Sequence, residues 1–349
     1  LNISRENILV DFSKDDLTFY QVVFPIEGTK VSDLIDAFDR NSDLVIYHSK
    51  PFADTEYLAI GNLFEFEFSD ESLSRLDELV LKFRENVSAG ETNENLPLFF
   101  GYIKFPSLVR EKYWNNFKEN FWFIPKFLIF NKDDKLFCAE NFLTASSFEE
   151  ISQDHLTETQ NYIKNIVNFQ KNRNKVTIKK LSDDDSDKWK QKVTEAIKDI
   201  RENKLQKIVL ARKVEYEISG SANWSDIFEK LNTGYPDCFN FLIKSGQDYF
   251  FGSSPELIGK FEKDIFRTEA LAGSINRGSD EYEDSDLALL LSASKKNKKE
   301  HDIVIDHLRD NLQKLLFNID IDETPLIKRL KNIQHLQTKI SGRLKDKLQ

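Results

Sequence analysis

Apolar positions along the chain follow two periods. Tyr57 to Phe68 alternates around Gly61 and predicts one or two strands. The stretch after it sets Leu73, Leu76, Val80, Phe83 and Val87 at steps of three and four, the spacing of an amphipathic helix. Leu98 to Phe105, Phe121 to Phe130 and Lys135 to Glu140 are short aromatic-rich runs between polar turns, which predicts sheet strands. Ser147 with Glu150 three residues on predicts a capping box opening a helix toward Asn172. From Lys171 to Asp187 the chain turns polar, and we place a seam there, between a half at 1–180 and a half at 181–349. Beyond the seam Trp189, Val193, Ala196, Ile197 and Ile200 form one helical stripe, and Leu205 to Tyr216 reads as a strand.

Composition narrows the classes. With 40% hydrophobic residues and 29 Phe, 10 Tyr and 4 Trp, the 349-residue chain is too apolar for disorder. Its 49 basic and 59 acidic side chains give a net charge of −10, a field that repels nucleic acid and obliges any anionic ligand to meet a local positive site. Cys138 and Cys238 lie apart, with no metal-ligand spacing around them, so neither a disulfide framework nor a zinc site is expected. Leu1 to Tyr20 lacks the basic-then-apolar order of a secretion signal, and Phe121 to Phe130 is interrupted by Pro125 and Lys126. These features predict a cytoplasmic protein with no membrane partner. Eight of the 12 glycines lie from Gly220 onward, which places tight backbone geometry, and with it the expected chemistry, in the second half.

Four places there carry candidate chemistry. Alternation sets Lys207 on one face with Val209 and Ala211, where burial would favour a neutral amine able to act as a base; the alternative is a lysine reaching solvent at a strand start. Phe251 to Glu256 ends a hydrophobic strand in a tight turn that presents Glu256, an acid if apolar neighbours surround it and a solvated surface carboxylate if they do not. Ala272, Gly273 and Ser274 are small enough for backbone N–H groups to approach an anion, or simply form a tight connection. Glu300 opens a helix with the stripe Ile303, Val304, Leu308 and Leu312; its inward carboxylate would suit a magnesium ion, or be a helix N-terminal Glu favoured by the dipole.

Taken together, KIVLAR (207–212), FGSSPEL (251–257), RTEALAGS with the following RG (267–278), KEHDIV (299–304) and NIQHLQT (332–338) resemble the chorismate-utilising enzymes, most closely isochorismate synthases of the menaquinone or siderophore type. The resemblance implies an α+β fold like that of anthranilate synthase component I, with two similar halves, central packed sheets and outer helices. It implies magnesium-dependent conversion of chorismate to isochorismate, with Lys207 activating water for attack at C2 and Glu256 protonating the departing C4 hydroxyl. By the same resemblance Gly273 and Ser274 contact a substrate carboxylate, Glu300 is a magnesium ligand and His335 lines the site near the C4 hydroxyl. A monomer with no glutaminase partner is implied as well.

Two departures accompany it. Lys295 stands where the family usually has an acidic residue, and the family pattern runs on past NIQHLQT to a second glutamate for the metal and basic groups for the carboxylates. The sequence contains no Met and stops at Gln349, so the expectation is that the natural chain continues. The competing readings are a salicylate synthase, an amine-dependent anthranilate or aminodeoxychorismate synthase, and a truncated paralogue that binds chorismate without turnover.

Overall fold

A computed structural model describes residues 8–14, 17–27, 30–40, 42–67, 99–105, 112–144, 153–167, 176–183, 186–262 and 264–345. In chain order the first half holds β1 (Ile8–Lys14), β2 (Leu17–Ile26), α1 (Ile35–Asp39), β3 (Leu44–Lys50), β4 (Thr55–Ile60) and β5 (Phe64–Glu67). It continues with β6 (Phe100–Ile103), β7 (Asn120–Ile124), β8 (Phe127–Lys132), β9 (Lys135–Thr144) and α2 (Gln153–Val167). Then come β10 (Thr177–Asp183), α3 (Ser186–Arg201), β11 (Val214–Ser219), α4 (Trp224–Gly234), β12 (Phe239–Ser245) and β13 (Asp248–Ser254). The last stretch is β14 (Lys260–Glu262), β15 (Ile265–Asn276), α5 (Glu281–Ala293), α6 (Lys295–Leu312), β16 (Leu316–Ile321), β17 (Leu326–Arg329) and β18 (Ile333–Leu344).

The larger sheet is eight-stranded and antiparallel, in the order β1-β2-β9-β8-β4-β3-β12-β13. Its middle strands are apolar on both faces because both are covered. Val45, Tyr47, Phe127 and Ile129 face one core with Phe38 of α1, Ile163 of α2 and Trp224 and Phe228 of α4. Ile46, Leu128 and Phe130 face the other, against Phe121 and Phe123 of β7 and the half-buried Phe100 and Tyr102 of β6. Residues one apart on a strand thus serve opposite cores, as the two-residue period requires. β7 belongs to a three-stranded sheet, β5-β7-β6, and Pro125 and Lys126 separate it from β8.

The smaller sheet runs β14-β15-β18-β16, with β17 also paired to β18. Helix α6 lies on it: Leu312 is buried with Leu316 and Ile340, and Phe266 and Leu308 pack against them. No helix among the described residues is long and apolar enough to cross a membrane.

Some expectations change. The predicted helix over Leu73 to Val87 and the Ser147–Glu150 capping box lie outside the described residues, although a helix does follow at Gln153–Val167. The polar seam contains a strand, β10, paired with β11. β12 and β13, from the second half, complete the first half's sheet, so the halves 1–180 and 181–349 share a sheet. The strand expected over Leu205 to Tyr216 begins only at Val214, and residues 207–213 form no ladder. Val209 is 81% exposed there, so the apolar face expected around Lys207 is not buried. A β-branched run becomes a strand only where a partner takes its backbone groups, and no described strand does so. The stripe on α3 is likewise only partly covered, with Ala196 buried and Ile197 and Ile200 exposed.

Candidate active site

The site is built on one irregularity in the β15–β18 ladder. Glu269 faces Lys339 and Ala272 faces Leu336, but the register then slips by one, so that Ser274 faces His335 and Gly273 is left as a bulge. Along β18, Gln334, Leu336, Thr338 and Ile340 are buried, which leaves Ile333, His335 and Gln337 on the open face. Without the bulge Ser274 would stand opposite Gln334, on the buried face. The extra residue turns it to the open side, where its Oγ lies 2.8 Å from His335 Nδ1. Gly273 sits at φ +77°, and a Cβ there would lie 3.2 Å from both Cβ and the carbonyl oxygen of Asn297 on α6, so glycine is required twice over.

Helix α6 presses on the buried side of this bulge. Its N-terminus is Ser294, whose Oγ accepts from the Asn297 N–H at 3.3 Å, so Glu300 lies in the second turn and does not open the helix as expected. His301 is wholly buried. Its Nδ1 donates to the Ala272 carbonyl (3.1 Å), which leaves Nε2 to accept from the Thr338 hydroxyl (2.8 Å). Burial holds its pKa below the ordinary 6.5, consistent with that neutral tautomer. The ring thereby locks α6 to both central strands, one residue from Glu300. The Glu300 carboxylate meets Lys207 Nζ at 3.5 Å, with both side chains about one-third exposed. The sequence-predicted base and the sequence-predicted ligand are thus brought into direct contact.

Glu256 follows β13 in the turn expected, but it is exposed, so apolar neighbours do not enclose it. The backbone around it is held from the smaller sheet. Lys328 Nζ, on β17, donates to the Pro255 carbonyl (2.8 Å) and to Glu269 Oε1 (2.5 Å). Gln337 donates to the other oxygen of Glu269. Beyond Glu256, Thr268 Oγ1 lies 3.2 Å from the Leu257 carbonyl and 2.8 Å from the Ile258 carbonyl. Burial is the main cause that lowers the pKa of His335; a backbone hydrogen bond at Gly273 opposes it, the Lys328 cation adds to it and the Glu256 carboxylate opposes it. Glu256 and Lys328 therefore each lie within electrostatic reach of His335.

A second network ties α5 to the same strands. Arg277 donates through Nε (2.6 Å) and an Nη (3.0 Å) to the two oxygens of the buried Asp284, which also accepts from Gly278 N–H, Arg329 and Gln334. These hydrogen bonds, led by Arg277, hold the Asp284 carboxyl down at about 2. Motif reading passed over His301, Glu269, Asp284 and Lys328. His301 stood next to Glu300 and Glu269 stood inside TEALAGS, but their partners lie tens of residues away and left no spacing to read.

Among the described residues no group of three or more His, Cys, Asp and Glu side chains is arranged to hold a metal ion. Glu300 offers a single carboxylate, which fits magnesium only as one ligand among water and substrate oxygens, and a cation there would compete with Lys207.

Comparison with known proteins bears on the family and the fold. Residues 8–349 match the family model described as chorismate binding enzyme. The salicylate biosynthesis isochorismate synthase of Pseudomonas aeruginosa is 34% identical over 158 residues, 45% of this chain and 33% of that protein. The isochorismate synthase MenF of Bacillus subtilis is 27% identical over 256 residues, 72% of this chain and 53% of that one. The chain thus spans about a third to a half of the length of these relatives. Among solved structures, the menaquinone-specific isochorismate synthase MenF of Escherichia coli superposes with a TM-score of 0.71 at 20% identity, over 99% of this chain and 74% of that one. Anthranilate synthase component I of Streptococcus pneumoniae gives 0.60 at 17% identity, over 83% and 69%. The α+β fold is the one these structures share, and with the family model matched along nearly its whole length the chain belongs to the chorismate binding enzymes.

Proposed function

We propose that this chain converts chorismate to isochorismate: water adds at C2, the C4 hydroxyl leaves and the ring double bonds shift. The observation that carries the reading is the meeting of separate motifs at one place. Lys207 reaches Glu300, and Ser274 reaches His335 across the Gly273 bulge. The similarity to isochorismate synthases supports the same reading.

In this mechanism Lys207 takes a proton from the attacking water, so the ammonium must first give up its proton and its contact with Glu300. Glu256, exposed at the end of its turn, supplies the proton to the leaving hydroxyl, and His335 stands beside that path. The Gly273 bulge and the Ser274 hydroxyl meet a substrate carboxylate, the local positive or donor site that a chain of net charge −10 must provide. Glu300 would hold a magnesium ion as one ligand among water and substrate oxygens, and the ion would supply positive charge for the substrate's carboxylate. The reading also carries a cytoplasmic enzyme, monomeric and independent of a glutaminase, which light scattering of the purified protein checks for its oligomeric part.

The test is incubation with chorismate and magnesium, without ammonia, and identification of products by chromatography with mass detection. Isochorismate alone is expected. Salicylate with pyruvate, or unchanged chorismate, would overturn the assignment. Lys207→Ala should abolish water addition in a folded protein. Glu256→Gln should stop turnover with magnesium affinity kept, and Glu300→Ala should weaken the dependence of rate on magnesium.

A further inference from the structure

The acid of the proposed reaction sits on an exposed turn, and solvent alone would not fix the direction of an exposed glutamate. What fixes it is the backbone, and the carbonyls on both sides of Glu256 are held by side chains of the smaller sheet. Pro255 is held by Lys328, and Leu257 and Ile258 by Thr268. On the side of the larger sheet Ser253 donates to the wholly buried Asn240. Of these holds, the one at Pro255 is charged. Lys328 and Glu269 are only 19% and 11% exposed, so their attraction is weakly screened, and Gln337 satisfies the second Glu269 oxygen.

We propose that Lys328 is a positioning residue: its ammonium, braced by Glu269, grips the Pro255 carbonyl and so aims the Glu256 carboxyl at the space beside His335. The cluster joins a turn that leaves the larger sheet at β13 to three strands of the smaller one, β15, β17 and β18. It acts through the peptide bond that leads into Glu256 and does not itself meet substrate. The inference rests on Glu256 being the acid of the proposed reaction.

Lys328→Met removes the grip at similar side-chain length, and Lys328→Met with Glu269→Gln removes it without leaving a buried carboxylate unpaired. Lys328→Arg keeps a cation and donors. Hydrogen exchange of peptides covering 250–258 is followed beside kcat and KM for chorismate. In the double variant exchange should quicken in 250–258 and stay unchanged in 333–344, kcat should fall about 10- to 100-fold because a small misplacement of a reacting group is costly, and KM should change less than threefold. Lys328→Arg should recover most of both losses. Unchanged exchange in 250–258, or equal loss of protection throughout the smaller sheet, would overturn the positioning role. If the wild-type protein leaves chorismate unchanged, the functional reading falls on that result alone, while the exchange pattern still decides whether Lys328 holds the turn.

Discussion

Replacing Gly273 by alanine tests the bulge on which the site is built. A residue with a Cβ at φ +77° pays about 1–2 kcal/mol for the left-handed conformation. The added carbon would also lie 3.2 Å from Cβ and the carbonyl oxygen of Asn297 and 3.4 Å from a Leu336 methyl. Helix α6 must then retreat by a few tenths of an ångström, and crowding of that kind costs about 1–3 kcal/mol. Alanine recovers roughly 0.4–1 kcal/mol by restricting the unfolded chain, which leaves a loss of about 1–4.5 kcal/mol. Unfolding entropy of about 2.1 cal/mol/K per residue turns that into a fall in Tm of roughly 1–6 °C for a chain of this size. Gly246 is the control: its φ is +60°, but the nearest heavy atom to an added Cβ is Asn116 Nδ2 at 3.9 Å, so Gly246→Ala carries the conformational cost alone. Calorimetry of both variants separates the two contributions. A Gly273→Ala loss no larger than that of Gly246→Ala would refute the claim that α6 packs tightly on the bulge.

Other outcomes follow from the same contacts. Tyr47→Phe strands Asn232 Nδ2, 2.7 Å from the buried phenol, and leaves Glu56 Oε1 with the Ser32 N–H alone, and should cost about 1–3 kcal/mol in urea unfolding; a loss under about 0.5 kcal/mol would deny that the chain of hydrogen bonds is closed to water. His301→Ala leaves the Ala272 carbonyl and the Thr338 hydroxyl without their partner and should destabilise by about 2–4 kcal/mol, with faster exchange in α6 as the structural readout. His48 is held below its ordinary 6.5, chiefly by burial and then by Lys50. The folded state therefore binds fewer protons than the unfolded chain, and the contribution of His48 is full above 6.5 and lost as pH falls below it. His48→Gln should accordingly lose less stability than the wild type between pH 7 and 5. Equal slopes would contradict the burial of the ring.

Strands β4 and β9 and the run that holds β7 and β8 were legible because strands covered on both faces leave short, dense apolar runs, whereas the turn at Pro125 and Lys126 that divides β7 from β8 was read as part of one run. The candidate site residues stood out as motifs, since each lies in a distinctive local string. Their arrangement was not. A one-residue slip opposite His335 depends on the pairing of β15 with β18 and leaves no trace in the spacing of either segment. The Lys328–Glu269 pair joins residues of strands β17 and β15 with no pattern between them, and the burial of His301 depends on α6 packing against β15 and β18, neither of which is its neighbour in sequence. Lys207 to Lys213 misled for the converse reason: its composition favours a strand, yet a strand exists only with a neighbour.

The place of β12 governs the order in which the molecule can assemble. It inserts between β3 and β13, pairing Asn240 with Ser49 and Ser245 with Leu44, so the larger sheet is unfinished until nearly 200 residues after β3 have left the ribosome. During that interval β3 presents an open hydrogen-bonding edge flanked by Val45, Ile46 and Tyr47, the kind of surface that pairs with stray chains. Contacts so distant along the polypeptide also slow the search for the native state. A fragment ending near the polar stretch around residue 180 would carry that edge permanently and is expected to aggregate, whereas one extended through Ser254 would carry its own cover.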